Sequence, residues 1–320
     1  GKLVLPYLYG RQKNKVNTTP KILILSYYWP PSGGSGVQRW MYFAKYLKQL
    51  GYEPIVVTVA ESQASYPVLD PSLIREVEGI RVIKTATREP LRWYSRLTSG
   101  DSKKGIPQGE VQTTSFFGKI AAYIRGNFFI PDARKGWVPF AVKAAQAVLK
   151  QEKIHCLITT GPPHSTHLAG LQLAKQFKLN WWVDFRDPWL DVFYNKQLRR
   201  SQSSQAKDAA LEKTVLHYAS GVITTTGGDL HQSLQQKAPD QTFVALPNGY
   251  DADLMQQIPA APKKDGFHIV YTGLLTQNQG YSKLMEVFHE LSQSHTLSFT
   301  LAGNINPDII NEIKNSLPKV

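Results

Sequence analysis

The chain has few of the residues that staple a fold or coordinate a metal. Its single cysteine, Cys156, rules out a disulfide within the 320 residues. Cys156 lies in the apolar run from Ile154 to Ile158, which predicts a small core residue in a reducing compartment. Cysteine and histidine nowhere cluster at zinc-site spacing, so a structural metal is not expected. No run of 18 or more apolar residues occurs, so no segment is expected to cross a bilayer as a helix. Acidic residues are scarce: 24 Asp and Glu stand against 37 Lys and Arg, for a formal net charge of +13. That imbalance, with a pI near 9.6, calls for an anionic partner. Within residues 1–19 the stretch Leu3-Val-Leu-Pro-Tyr-Leu8 is interrupted by proline and lacks a small-residue cleavage site after it. The segment is expected to be a loose leader or remnant, not a signal peptide.

Apolar residues are present in quantity, at 42% of the chain, enough for sizeable cores and for two domains of ordinary size. The organising stretch runs from Lys21 to Leu50 and predicts strand, glycine loop and helix. Ile22 to Leu25 are continuously apolar and too few for a helix, as suits a parallel strand covered on both faces. Pro30 and Pro31 stop the strand, and Ser32, Gly33, Gly34, Ser35 and Gly36 let backbone N–H groups approach a ligand. Val37, Met41, Ala44, Leu47 and Leu50 follow at helical spacing. A helix emerging from such a loop is a natural anion site, although a plain strand-to-helix turn would use the same glycines. Two phosphate-binding fingerprints are excluded, because no Gly-Lys-Ser/Thr follows and no third glycine comes after Gly36.

Strands are predicted at Pro54 to Val59, Ile80 to Ile83, Ile154 to Thr159, Trp181 to Phe185, Gly221 to Thr225 and Thr242 to Leu246. Helices are predicted at Val138 to Lys150, Ser165 to Phe177, Ala206 to Tyr218 and Asp229 to Gln236. This alternation is the signature of an α/β, doubly wound parallel sheet. Gln257 to Gly266 reads as a linker, after which strand and helix resume at Phe267 to Tyr271, Ser282 to Leu291, Leu297 to Ala302 and Pro307 to Ser316. The expected division is a leader over 1–19, a Rossmann-like acceptor-side domain over 20–260, and the start of a second Rossmann-like domain over 261–320.

In open α/β sheets the ligand lies beyond the carboxyl ends of the strands, so the segments after each strand supply the candidates. They are Gly33 to Gly36 with Arg39, Gly161 to His167 with His164, Asp184 to Asp191 with Arg186 and Asp187, Thr226 to Asp229, and Pro247 to Asp251 with Asn248 and Gly249. Such a rim suits a polyol phosphate. Arg186 is able to pair with a phosphate or with Asp184 or Asp187, and Asp187 to accept hydrogen bonds from sugar hydroxyls. Asp184 to Asp187 reads equally as a structural ion-pair turn, and His164 as a capping or exposed histidine.

From Arg88 to Lys150, 11 Lys/Arg stand against 4 Asp/Glu, interleaved with Trp93, Tyr94, Phe116, Phe117, Tyr123, Phe128, Phe129 and Trp137. Nucleic acid, an anionic membrane surface, and a solvated basic face over core aromatics all fit that pattern. Ser115 to Ile130 carries Phe116, Ile120, Tyr123, Ile124 and Phe128 near one face and predicts a helix, interfacial or simply packed. Arg88 to Glu110 is polar and expected to be exposed and mobile.

Six spaced motifs carry a resemblance: Tyr28-Trp-Pro-Pro-Ser-Gly-Gly-Ser-Gly-Val-Gln-Arg39, Gly126-Asn-Phe-Phe-Ile-Pro-Asp-Ala-Arg-Lys135, Thr160-Gly-Pro-Pro-His-Ser165, Asp184-Phe-Arg-Asp-Pro-Trp189, Pro247-Asn-Gly-Tyr-Asp251 and Tyr271-Thr-Gly273. From Pro20 to Leu317 the chain resembles bacterial family 4 glycosyltransferases of the GT-B fold. The resemblance implies a nucleotide-sugar donor, an often lipid-linked saccharide acceptor, and transfer with retention, without a metal or other cofactor, in cell-surface polysaccharide assembly. With the single cysteine pointing to the cytoplasm, the basic aromatic region from Arg88 to Lys150 is expected to dock the chain peripherally on the inner face of the membrane. On this reading His164 and Asp187 are catalytic, Arg39, Asp184 and Arg186 contact substrate, and Gly33, Gly34, Ser35, Gly36, Asn248, Gly249 and Gly273 hold the donor. Relatives place a basic residue after Gly273 and a two-glutamate motif further on. Leu274 to Gln279 has no basic residue, and the motif would lie beyond Val320, so a C-terminally truncated, weakly donor-binding enzyme is expected. Three rivals remain: a non-catalytic sugar-nucleotide-binding or scaffold protein, a nucleic-acid-binding protein, opposed by the lack of any recognition motif, and a nicotinamide-dependent dehydrogenase, opposed by the glycine pattern.

Overall fold

The computed structural model describes residues 19–66, 68–89, 116–192, 195, 198–259, 265–276, 279–303 and 305–316. The chain divides into two compact units, the first ending at Gly249 and the second beginning at Tyr250.

The first unit is an α/β doubly wound sheet, as the alternation predicts. Its strands are β1 (Lys21–Leu25), β2 (Glu53–Val59), β3 (Arg81–Thr85), β4 (Cys156–Gly161), β5 (Trp181–Phe185), β6 (Gly221–Thr224) and β7 (Phe243–Ala245). They lie in the order β3-β2-β1-β4-β5-β6-β7, and every pairing is parallel. Its helices are α1 (Ser35–Gln49), α2 (Phe116–Phe128), α3 (Val138–Gln151), α4 (Ser165–Phe177), α5 (Gln202–Tyr218) and α6 (Asp229–Lys237).

The continuous apolar runs follow from burial on both faces. Leu23, Leu25, Ile55, Val57, Leu157 and Val183 pack with Ala141, Ala145, Ala169 and Leu173 on one side. Ile22, Ile24, Val56, Cys156 and Ile158 pack with Trp40 and Ala44 on the other. Each such large side chain is worth about 1.5–3 kcal/mol when buried. The apolar stripe of α1 differs from expectation at its end. Leu50 is the helix C-cap and is exposed, while Trp40 is buried.

Three short elements were not foreseen. The 3-10 turn Pro71–Val77 begins at Asp70, whose carboxylate accepts from the Ser72 N–H. A second 3-10 turn spans Lys135–Trp137, and helix α7 (Ala252–Gln256) belongs to the second unit. Helix α5 starts four residues before the expected Ala206, because the Ser201 side chain accepts from the Ser204 N–H and caps it.

In the second unit β8 (Phe267–Thr272) and β9 (Leu297–Ala302) form a parallel pair. Helices α8 (Tyr281–Leu291) and α9 (Pro307–Ser316) bury Met285, Phe288, Ile309 and Ile313 against Ile269, Tyr271, Phe299 and Leu301. The expected leader, almost all of the mobile stretch, much of the linker and the side chains of Phe116 and Ile120 lie outside the described residues.

Candidate functional site

The strand order places the site. β1 and β4 are neighbours at the centre, and the chain leaves them toward opposite edges of the sheet, which opens a crevice beyond their carboxyl ends. The glycine loop follows β1, and the loop bearing His164 follows β4.

The glycine loop is pinned by the segment after β2. The Gly33 N–H donates to the Val68 carbonyl at 2.9 Å, and the Asp70 N–H to the Pro31 carbonyl at 2.8 Å. Gly34 has φ +96°, a conformation that side chains resist, and it caps α1 without a side-chain acceptor. The Val37 N–H donates to the Gly34 carbonyl at 3.1 Å, which leaves the Ser35 and Gly36 N–H groups ahead of it at the helix start, where the helix dipole adds partial positive charge.

Arg186 reinforces that charge. Its Nε donates to the Gly161 carbonyl at 3.1 Å, Nη1 to the Gly36 carbonyl and Nη2 to the Pro162 carbonyl. These acceptors are neutral, so a guanidinium is held at the junction of the two strand-end loops. Burial lowers its pKa, opposed by Asp184 and Asp187. A Cβ at position 36 would overlap Nη1 and push the guanidinium aside. Asp187 is exposed at the rim, and partial desolvation raises its carboxyl against the pull of Arg186.

Arg39 and Asp184 spend their charges on each other. Arg39 Nη2 lies 2.9 Å from Asp184 Oδ1, with both side chains essentially inaccessible. Asp184 Oδ2 also accepts from Trp40 Nε1 at 2.6 Å and from Thr160 Oγ1 at 2.8 Å. Arg39 Nη1 donates to the Leu246 carbonyl at 2.7 Å and to Asn248 Oδ1 at 2.9 Å. One buried ion pair thus ties α1, β4 and β5 to the loop after β7, and Asn248 works within the first unit to hold that loop. Gly249 is the last residue of the unit and has open space where a Cβ would stand.

His164 is buried. Its Nε2 lies 3.3 Å from the Pro188 carbonyl, and its ring stacks on Trp189 at 5.1 Å between centroids. Burial pushes its pKa down to about 3, with the Pro188 carbonyl opposing, so the ring is neutral at physiological pH.

Neighbours that the sequence reading gave no role hold this loop. Asp132 accepts from the Ser165 N–H at 2.7 Å and from Ser165 Oγ at 2.8 Å, anchoring the start of α4 beside His164. Arg134 binds Glu89 at 2.8 Å, and Glu89 also accepts from Ser65 at 2.6 Å and from Tyr27. Asp132 and Arg134 sit in the Gly126 to Lys135 motif and His167 closes the Gly161 to His167 segment, but spacing gives none of them a role. Nothing in sequence marks Glu89. Gly273 follows β8 in the second unit with φ +131°, and its N–H donates to the Ala302 carbonyl at 2.9 Å.

Comparison with known proteins gives the family of the chain. Residues 33–249 match the sequence model of the glycosyl transferase 4-like domain, while no curated protein sequence matches the chain. Among solved structures, Anabaena HepE in complex with UDP and glucose is 14% identical with a TM-score of 0.47, over 93% of this chain and 66% of its own. Apo UGT2 of Phytolacca americana is 15% identical with a TM-score of 0.47, over 91% of this chain and 74% of its own. The N-terminal domain of Candida albicans trehalose-6-phosphate phosphatase is 10% identical with a TM-score of 0.53, over 97% of this chain and 69% of its own. At that identity the likeness is one of fold. The chain spans just under two thirds of the HepE chain.

Proposed function

The chain belongs to the glycosyl transferase 4-like family, and on that premise we propose that it moves a sugar from a nucleotide-sugar donor to a saccharide acceptor, with retention at the anomeric carbon. The observation that carries this reading is the Arg186 guanidinium, held by the carbonyls of Gly36, Gly161 and Pro162 at the N-terminus of α1. It supports an anion site formed by the first N–H groups of α1 and a fixed cation. As the glycosidic bond breaks, charge grows on the departing nucleoside diphosphate, and donors already in place there stabilise it without reorganising. His164, neutral and buried beside this site, shapes the pocket for the reacting sugar. Asp187, exposed at the rim, accepts hydrogen bonds from the acceptor hydroxyls. No metal or other cofactor takes part in this reading.

The acceptor is proposed to be lipid-linked, and the product part of a cell-surface polysaccharide. Tyr123, Ile124 and Phe128 on α2 are 49%, 44% and 65% exposed. In a basic stretch they support peripheral docking on the anionic inner face of a membrane. Among the described residues no helix is long and apolar enough to cross a membrane.

Calorimetric titration with UDP-, GDP- and ADP-sugars, in the parent and in Gly36→Ala, tests the donor site. The parent is expected to bind one donor class. The variant, whose new methyl displaces Arg186, is expected to bind at least tenfold more weakly, a change of about 1.4 kcal/mol. Binding without transfer to any saccharide would favour the scaffold reading, and no binding of any nucleotide sugar would overturn the enzyme reading. Unchanged sedimentation with anionic vesicles would remove the membrane.

A further inference from the structure

Two buried imidazoles, His164 and His167, stand side by side, their ring centroids 5.8 Å apart. Both are packed against Phe185 and Trp189. His164 Nδ1 and His167 Nε2 are buried without a hydrogen-bond partner. They converge on the same face of Gly161, since each would lie 2.7 Å from a Cβ built there. Among the described residues no group of three His, Cys, Asp or Glu could hold a metal ion, so the pair lacks the further ligand a metal centre would need.

The protons of this cluster are assigned by their neighbours. A carbonyl only accepts, so the contact of His164 Nε2 with the Pro188 carbonyl at 3.3 Å puts a hydrogen on Nε2 and leaves Nδ1 a lone pair. An indole N–H only donates, so Thr159 Oγ1 accepts from Trp181 Nε1 at 3.0 Å. The same oxygen lies 2.8 Å from His167 Nδ1. If Nδ1 donated, the buried Thr159 hydroxyl hydrogen would lack an acceptor, and two imidazole lone pairs would face one another. If the hydroxyl donates to Nδ1 instead, His167 carries its hydrogen on Nε2, and that N–H faces the lone pair of His164 Nδ1. Only the second arrangement gives the Thr159 hydroxyl hydrogen an acceptor and turns unlike poles of the two rings toward one another.

We infer that His167 is a positioning residue for His164. Thr159 fixes the tautomer of His167 and Pro188 that of His164, and the His167 Nε2–H, beside His164 Nδ1 but not hydrogen-bonded to it, steadies the His164 ring by packing and by the attraction of unlike poles against the loop that carries Asp187. The inference deepens the functional reading, since it rests on His164 bordering the reacting sugar. Its consequence is that neither His164 nitrogen takes a proton from substrate, since Nε2 already carries its hydrogen and Nδ1 is buried. The ring acts by shape and by holding Pro188, which leaves proton acceptance to Asp187. Burial lowers the pKa of both rings, as a neutral pair of this kind requires.

The test is long-range proton–nitrogen NMR on the full chain with nitrogen-15 ring-labelled histidine. The eight histidines are assigned through bonds from the backbone resonances of the unmodified chain. In the unmodified chain both rings are expected as neutral Nε2–H tautomers between about pH 5 and 8. Thr159→Val removes the hydroxyl and is expected to admit the Nδ1–H form of His167 and to shift the His164 resonances. Thr159→Ser is expected to restore both. An Nδ1–H His167 in the unmodified chain, protonation of either ring in that range, or His164 resonances indifferent to Thr159→Val would overturn the inference. The tautomers are read without any substitution, so the result does not depend on the variants folding. Failure of donor binding removes the functional reading and leaves the tautomer assignment standing.

Discussion

At the scale of single residues, the centre of the first unit is built on charges and imidazoles that water does not reach. Asp184 is fully buried and takes hydrogen bonds from Arg39, Trp40 and Thr160. Removing one partner of such a pair typically costs about 3–5 kcal/mol, because the other is left buried and uncompensated. Histidine makes the residue-scale prediction. His164 has a folded pKa of about 3 against an ordinary value of 6.5, so the unfolded chain binds the proton first. Stability is complete above about pH 6.5 and falls as pH drops toward about 3, by roughly 2 kcal/mol at about pH 5 for this ring. Asp132, raised by burial, acts in the opposite sense, so the difference between variant and parent isolates the imidazole. Urea midpoints of His164→Gln are expected to depend less on pH than those of the parent across this window.

At the scale of elements, three helices of the first unit begin in different ways. Helix α5 finds one in Ser201, and α4 is anchored by Asp132, which lies 33 residues earlier in the chain. Helix α1 has only Gly34 before it. Removing the α5 cap in Ser201→Ala is expected to lower unfolding free energy by about 1 kcal/mol, read as a reduced urea midpoint with an unchanged slope. The parallel strands and the glycine loop were legible because continuous apolar runs and consecutive glycines signal them directly. The cap at Ser201 was not, because Ser-Gln-Ser-Ser reads as loop until a serine oxygen meets a backbone N–H. Helix α2 was legible as a helix, with Tyr123, Ile124 and Phe128 left exposed as its pattern allowed.

For the molecule as a whole, both units are α/β with parallel strands. Its two units have cores of unequal size. The first buries two clusters on the faces of seven strands, while the second buries Leu275, Met285, Phe288, Ile309 and Ile313 around two. Small units bury a lower fraction of their surface and are correspondingly marginal. Urea unfolding followed by hydrogen exchange is expected to show the amides of β8 and β9 exposed before those of β1 and β4. A single coincident transition would contradict this.

The sequence by itself determined the α/β class, the seven strands of the first unit and the glycine loop with its helix, because these depend on local periodicity and on what proline and glycine permit. It also placed Arg39, Asp184, Arg186 and His164 at strand ends. Only the tertiary structure decided what those groups do there. Arg39 meets Asp184 across 145 residues of chain, Arg186 turns toward the carbonyls of Gly36, Gly161 and Pro162, and His167 comes to face His164. The reason is the strand order: β1 and β4 become neighbours only when the crossovers are laid down on the sheet. Which charge is paired, and which is left for a ligand, is settled by that adjacency and by burial, and neither is written in local spacing.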